Sequence, residues 1–417
     1  NAFRHHGCRE DHLAKIKSPN TYTALATEPY AHHYVLQLLE FAANVGGYGE
    51  VISLGDGSNA QNTLAMVPHD LIVDRVYVHG DASGQKRGIG LNSAATTIRD
   101  SYVSNIWYVG QDSQAIAGWN GPGPFTITNN YLEAASENFL LGGADPAIVD
   151  LIPSDIVFTR NYVTKPLAWR SRSDINVKNL FELKNGQRVT IDGNIFENNW
   201  LAAQAGYSIV FTGRSQDGLA PWSVVKDLTF TNNIVRHVAS GINILGHDYR
   251  FPSGTSTHFV FRNNLFYDMS GATYGGDGRF MLINGGVDVT VDHNTIIQDG
   301  NSVLYADTNA VQQFVMTNNI ARDNLYGIMG GGTSPGNGTI AAFFPNSTFL
   351  RGVWASAPYY YPTGNFYPAN LSDVGFVDLA GGNYRLAPSS IYRNAALDGT
   401  DVGANIDVIL AATAGVQ

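Results

Sequence analysis

The sequence predicts an all-β fold: a right-handed parallel β-helix of about ten coils with a C-terminal cap. Three observations predict it. The phrase Val189-Thr-Ile-Asp-Gly-Asn-Ile-Phe196 recurs along the chain with its asparagine in register, and a second short apolar strand, often ending in glycine, recurs between the copies. Gly is abundant at 45 residues while charged residues make up only 14%, so the composition is that of a turn-rich chain with ample core. Self-similarity at such a period marks a solenoid, in which each unit buries its apolar face against the next.

The aligned asparagines are Asn130, Asn161, Asn194, Asn233, Asn264, Asn294 and Asn319, spaced 31, 33, 39, 31, 30 and 25 residues apart. Before each one, apolar and polar residues alternate, as Val189 and Ile191 do with Thr190 and Asp192. That is the period of a half-buried strand. The asparagine marks a bend, and an apolar pair such as Ile195-Phe196 opens the next strand. The glycine-terminated strands fall at 51–55, 88–92, 113–118, 138–143, 179–185, 208–213, 241–246, 279–285, 302–307 and 326–330. Three strands per repeat describe one β-helix coil.

Degenerate copies at 34–41, 71–78 and 96–103 carry Leu39, Val76 and Ser101 in the asparagine place. Ten copies stacked at a strand spacing of ~4.8 Å give roughly 48 Å of helix. Side-chain amides both donate and accept, so asparagines stacked in register can bond to those above and below. These residues are expected to be structural. Residues 1–30 are expected to form an N-terminal cap or first coil, 31–340 the β-helix, and 341–417 a last coil and cap.

Composition also narrows the function. A formal net charge of −10 argues against a nucleic-acid partner, which needs a basic face. The single cysteine, Cys8, excludes an intrachain disulfide and a cysteine-based zinc cage. No apolar run approaches the ~20 residues of a membrane span. The first residues, Asn1-Ala-Phe-Arg-His-His6, contain no signal-peptide apolar region. His5-His6 and His32-His33 are metal-ligating residue types, but neighbours on a regular element do not converge on one face, so no metal site is expected there.

The asparagine register, the three-strand coil and the tail Tyr384-Arg-Leu-Ala-Pro388 with Asp401-Val-Gly-Ala404 resemble the pectate-lyase-like superfamily of bacterial β-helix proteins, over nearly the whole chain. The resemblance implies a secreted or periplasmic location and a polysaccharide partner lying along the glycine-terminated sheet. It does not choose an activity, because that superfamily includes lyases, hydrolases, epimerases, tailspikes and adhesins.

Alternation places Phe181 and Leu183 inside, and therefore Glu182 and Lys184 outside on one face. In the next coils Arg214 and Asn243 face outward, with His247 and Asp248 just beyond. The longest spacings flank Asn194, and the added segments carry Trp169, Arg170 and Trp222, whose rings and guanidinium suit sugars and acidic groups. Asp145 follows an outward-facing turn. For an acidic polysaccharide, β-elimination needs a base, neutralisation of the uronate carboxylate and an acid for the leaving oxygen. Lys184 is the candidate base if desolvation or nearby positive charge lowers its pKa; Arg214, or a calcium ion held by Glu182, is the neutralising group. No other cofactor is implied.

The pattern Glu182-Leu-Lys184-Asn185 is similar to the Glu and Lys positions of chondroitinase-B and alginate-lyase type β-helix enzymes. It departs from them in spacing and lacks their longer Lys-Ser signature. Hydrolysis, the enzymatic rival, needs two carboxyls ~5–10 Å apart; the candidates are Asp112, Asp145, Glu182 and Asp248. Polygalacturonase-type motifs are absent. The non-enzymatic alternative is a structural, adhesive or carbohydrate-binding solenoid. In that case Glu182 and Lys184 are only a surface ion pair.

Overall fold

A computed structural model of the protein describes residues 13–416. Three sheets, each wholly parallel, run the length of the molecule: sheet A with 12 strands, B with 11 and C with 11. Successive strands of one sheet come from successive coils, in the cyclic order A, B, C, which is the connectivity of a parallel β-helix. The stack starts earlier and ends later than the repeat alone suggests. Ala14–Lys17 and Leu25–Ala26 pair into sheets A and B at one end, and Thr348–Leu350 and Val353–Ala355 extend C and A at the other.

Each asparagine copy is the corner where sheet C turns into sheet A. Asn194 shows why that residue type is used there. Its Oδ1 accepts from the backbone N–H of Asn161 at 2.8 Å and from the Asn161 side chain at 3.1 Å, while its Nδ2 donates to the carbonyl of Phe158 and to Asn233 Oδ1, both at 2.9 Å. The pattern repeats from Asn130 to Asn319, and Ser101 continues it, accepting from the N–H of Val76. A corner buried between coils would otherwise leave orphaned amides. The left-handed turn is made by the residue before the asparagine: Asn129, Arg160, Gly193, Asn232, Asn263, His293 and Asn318 all have φ between 50° and 64°.

One further rung lies beyond the repeat. Gly352 occupies the asparagine place in the last coil; Asn365 Oδ1 accepts from its backbone N–H at 2.9 Å, and Asn365 Nδ2 donates to the Phe349 carbonyl at 3.0 Å. Gly364-Asn365-Phe366 thus copies the turn, and Phe366 bridges Val353 in parallel. Tyr361 then closes the core, stacked 5.3 Å from Trp354 and donating to both oxygens of Asp323.

The interior is built from rows of matched side chains. Ile52, Ile89, Ile116, Phe139, Phe181, Ile209 and Ile242 are register partners on sheet B and are all buried. Strict alternation fails where the sheet B strands begin. Ala115 and Ile116, Leu180 and Phe181, and Val303 and Leu304 are consecutive residues that both enter the core. The pairing skips one position there, as it does at Ser208 between Tyr207↔Ser240 and Ile209↔Ile242. The residue before such a pair therefore faces outward.

After Tyr361 the chain does not end on the last coil. It runs back along the C-to-A corners: Gly403 donates to the Asn318 carbonyl, Asn405 to Asn263, and the Arg160 guanidinium to the carbonyls of Ala412 and Ala414. Ile406, Ile409 and Val416 of this strap bury the outer face of sheet A at Ile195, Ile234 and Leu265.

Candidate active site on sheet B

The outer face of sheet B carries a cleft of about 370 Å³ lined by Glu182, Lys184, Gln204, Tyr207, Arg214 and Asn243 among others. Register brings the first pieces together. Glu182, Val210 and Asn243 are partners on three adjacent coils, so their outward side chains stack at the strand spacing. Lys184 follows Glu182 by two residues on the same face, and Arg214 reaches in from the loop after Tyr207–Thr212, its N–H bonded to the Lys184 carbonyl at 2.9 Å.

Glu182 is only 2% exposed although it points away from the core. Its Oε2 accepts from Asn179 Nδ2 at 2.9 Å, and its Oε1 lies 3.8 Å from Lys184 Nζ. Calcium takes six to eight oxygen ligands, with carboxylates prominent. Here a single carboxylate lines the cleft, one oxygen already accepting from Asn179 and the other beside the Lys184 amine, so the residues do not fit a calcium cage.

Arg214 differs from most cations of this protein. It is half-buried, its guanidinium lies over the Tyr249 ring 6.0 Å from the centroid, and it pairs with no carboxylate among the described residues. A guanidinium with unused donors facing an open cleft is suited to a planar anion. Tyr207 is 4% exposed, and its hydroxyl has no hydrogen-bond partner of ordinary geometry among the described residues. Burial first, then the nearby Asp277, pushes the Tyr207 hydroxyl upward in pKa, against the Arg279 charge. It therefore stays a proton donor.

A buried polar network continues toward the earlier coils. Glu137 Oε2 accepts from Gln114 at 2.9 Å and its Oε1 lies 3.4 Å from Lys178, which also bonds Asp112; Arg87 joins Gln114 to Glu50. Burial raises the Glu137 carboxyl above its ordinary range, with the charges of Glu182 and Asp112 adding to it and Lys178 opposing. The Lys178 ammonium is pulled down by burial, but Glu137 and the other carboxylates outweigh this and raise it.

The other residues expected at the site lie elsewhere. Trp169 is 7% exposed and packed with Trp107 and Trp200, so its faces are used internally. Arg170 donates to the Thr273 carbonyl and covers the Tyr274 ring. Trp222 donates to the Leu151 carbonyl at 3.1 Å, and Asp145 accepts from the N–H groups of Gln216, Asp217 and Leu219 at 2.6–2.9 Å. Both fasten the loop that carries Arg214. Asp248 is buried, accepting from the Arg250 N–H, and His247 is exposed beside it. Of the paired-carboxylate candidates Asp112, Asp145, Glu182 and Asp248, Glu182 alone lines the cleft.

Tyr207, Gln204 and Glu137 were not foreseen. Simple alternation from Ile209 and Phe211 sends Tyr207 into the core; the two successive inward residues, Ser208 and Ile209, turn it outward instead. A larger cavity, about 740 Å³, lies beneath the C-terminal strap. Its charged groups are already paired, Arg262 with Asp292, Arg385 with Asp407 and Arg393 with Asp401, so it reads as a polar seam of the strap.

No protein-family model matches the chain, and no curated protein matches it in sequence. Among solved structures it is similar to a complex of the alginate lyase AlyF-OU02 with G6, at 11% identity and a TM-score of 0.36, over 82% of this chain and 89% of that one.

Proposed function

We propose that the sheet B cleft binds an acidic polysaccharide and cleaves it by β-elimination at a uronate residue. The observation that carries this reading is Arg214, a half-buried guanidinium facing an open cleft with no carboxylate partner among the described residues. An anion from the substrate is the group that would complete it. In the proposed reaction Arg214 and Asn243 hold the uronate carboxylate, which lowers the cost of charge building at C5. Lys184 takes the C5 proton; the electron pair forms the C4–C5 double bond, the C4–O bond breaks, and Tyr207 protonates the departing oxygen. Glu182 is a positioning residue, holding the protonated Lys184 by charge.

Hydrolysis is less favoured because the second buried carboxyl, Glu137, is committed to Gln114 and Lys178 and does not line the cleft. A purely structural stack is less favoured because Tyr361 closes one end of the core. Polysaccharides of this kind lie outside the cytoplasm, so the reading carries a secreted or periplasmic location with it.

The test is incubation with alginate, pectate and glucuronate-containing polysaccharides, following the ultraviolet absorbance of the unsaturated uronate product. Product from the native protein and none from Lys184→Ala supports elimination. New reducing ends without that absorbance would mean hydrolysis, and no cleavage of any substrate would overturn the enzymatic reading.

A further inference from the structure

Sheet C carries a feature that the asparagine corners do not explain. A residue near the start of its strands takes a positive φ: the second residue at His33 (60°), Asp70 (55°) and His258, and the third at Arg188 and Asp227. In a regular strand adjacent side chains point to opposite faces. A left-handed residue breaks that rule, and this is why His32 and His33, expected to diverge, instead meet.

Four side chains from two coils converge there. His32 and His69 are register partners, and their rings stack at 5.2 Å. His69 Nδ1 lies 2.7 Å from Asp70 Oδ2, and His33 Nε2 lies 3.8 Å from the same oxygen. The ligand atoms of His33, His69 and Asp70 all fall within 4.8 Å of one another. Donors held ~2.0–2.1 Å from a tetrahedral ion sit roughly 3.3 Å apart, between the two measured separations. The remaining nitrogen of His33, Nδ1, is 2.7 Å from His32 Nδ1. With His33 Nδ1–H as the donor in that pair, its Nε2 is free to ligate, the arrangement in which a second imidazole orients a metal ligand.

The same backbone kink further along sheet C is filled differently. Arg188 lies 2.7 Å from Asp155, and His258 sits between Asp227 at 3.2 Å and Asp288 at 3.4 Å. That column is an alternation of opposite charges. In the column at the first coils, three imidazoles surround one carboxylate, a donor set with little use as an ion-pair ladder.

We infer that His33, His69 and Asp70 form a binding site for a divalent transition ion, with His32 as its orienting partner. Two imidazoles and one carboxylate select zinc-class ions over calcium or magnesium, which take oxygen ligands. The side chains are exposed, so water completes the coordination. The ion would tie His32–Gln37 to His69–Asp74, the outermost strands of sheet C at that end.

The test uses the full chain stripped of metal and titrated calorimetrically with zinc, beside a His5→Ala/His6→Ala variant that removes the other histidine pair. One zinc per chain in both proteins, affinity lowered by about tenfold or more in His33→Ala and His69→Ala, and a visible cobalt spectrum of nitrogen and oxygen ligation are expected. His32→Phe should weaken binding without changing the stoichiometry. The inference is overturned by zinc binding that survives His33→Ala/His69→Ala, by binding lost only in His5→Ala/His6→Ala, by no binding, or by equal affinity for calcium. These positions lie outside the core, and circular dichroism of each variant checks its fold.

Discussion

Lys184 Nζ lies 3.8 Å from Glu182 Oε1, on adjacent outward positions of one strand and its exit. If Lys184 is the base, Lys184→Ala lowers kcat by roughly 10²–10⁴-fold, the usual contribution of general base catalysis. Glu182→Gln keeps the shape but removes the charge, and should lower kcat and shift the pH–rate profile without unfolding the protein. Steady-state kinetics across pH distinguishes this from a surface ion pair, whose loss would leave the profile unchanged.

Arg214 is predicted to act on substrate binding and charge neutralisation. Hydrogen bonds to charged groups are worth about 1.5–3 kcal/mol, so Arg214→Ala should lower kcat/KM by roughly 10- to 150-fold. Arg214→Lys should recover only part of it, because an ammonium cannot match a carboxylate with two parallel donors. Asp145→Ala, which frees three backbone N–H groups of the same loop, should raise KM more than it lowers kcat.

The corner bonds make a graded stability prediction. Asn194→Ala strips acceptors from Asn161 and a donor from Phe158 inside the stack, and should cost about 1–3 kcal/mol for each buried group left unpaired. Asn365→Ala removes the same kind of rung at the last coil, where water can enter, and should cost less. Urea denaturation of the two variants measures the difference.

Asp323 supplies a pH dependence. Burial pushes its carboxyl from 3.8 up to about 7, against the stabilising hydrogen bond from Tyr361. Because the folded-state value is raised, the native state holds a proton that the unfolded chain has released between pH 3.8 and 7. The contribution to stability is therefore complete below that window and is lost as pH rises through about 7. Asp323→Asn should flatten this part of the stability profile, as followed by thermal melts at stepped pH.

The fold was legible because each coil must solve the same corner, and seven successive coils, Asn130 to Asn319, write the solution as one residue type in register. The cleft was legible only in part. Glu182, Lys184 and Asn243 follow from alternation within a strand, and Arg214 from the loop after one. Tyr207 and Glu137 do not, because two consecutive inward residues reverse the phase at the start of each sheet B strand. Trp169, Arg170, Trp222 and Asp145 stand in inserted segments whose path no period encodes. Asn365 has the right neighbours, Gly364 and Phe366, but stands where the spacing of strands has lapsed.

The strap alters what kind of object the stack is. A solenoid whose coils touch only their neighbours can fray from either end, one coil at a time. Here Arg160, Asn263 and Asn318, on corners of well-separated coils, are bonded to a single segment that enters after the last coil. Opening the last coil also loosens the strap on the middle ones. The region holding the cleft is thereby placed inside one cooperative unit, melting together instead of unravelling in sequence.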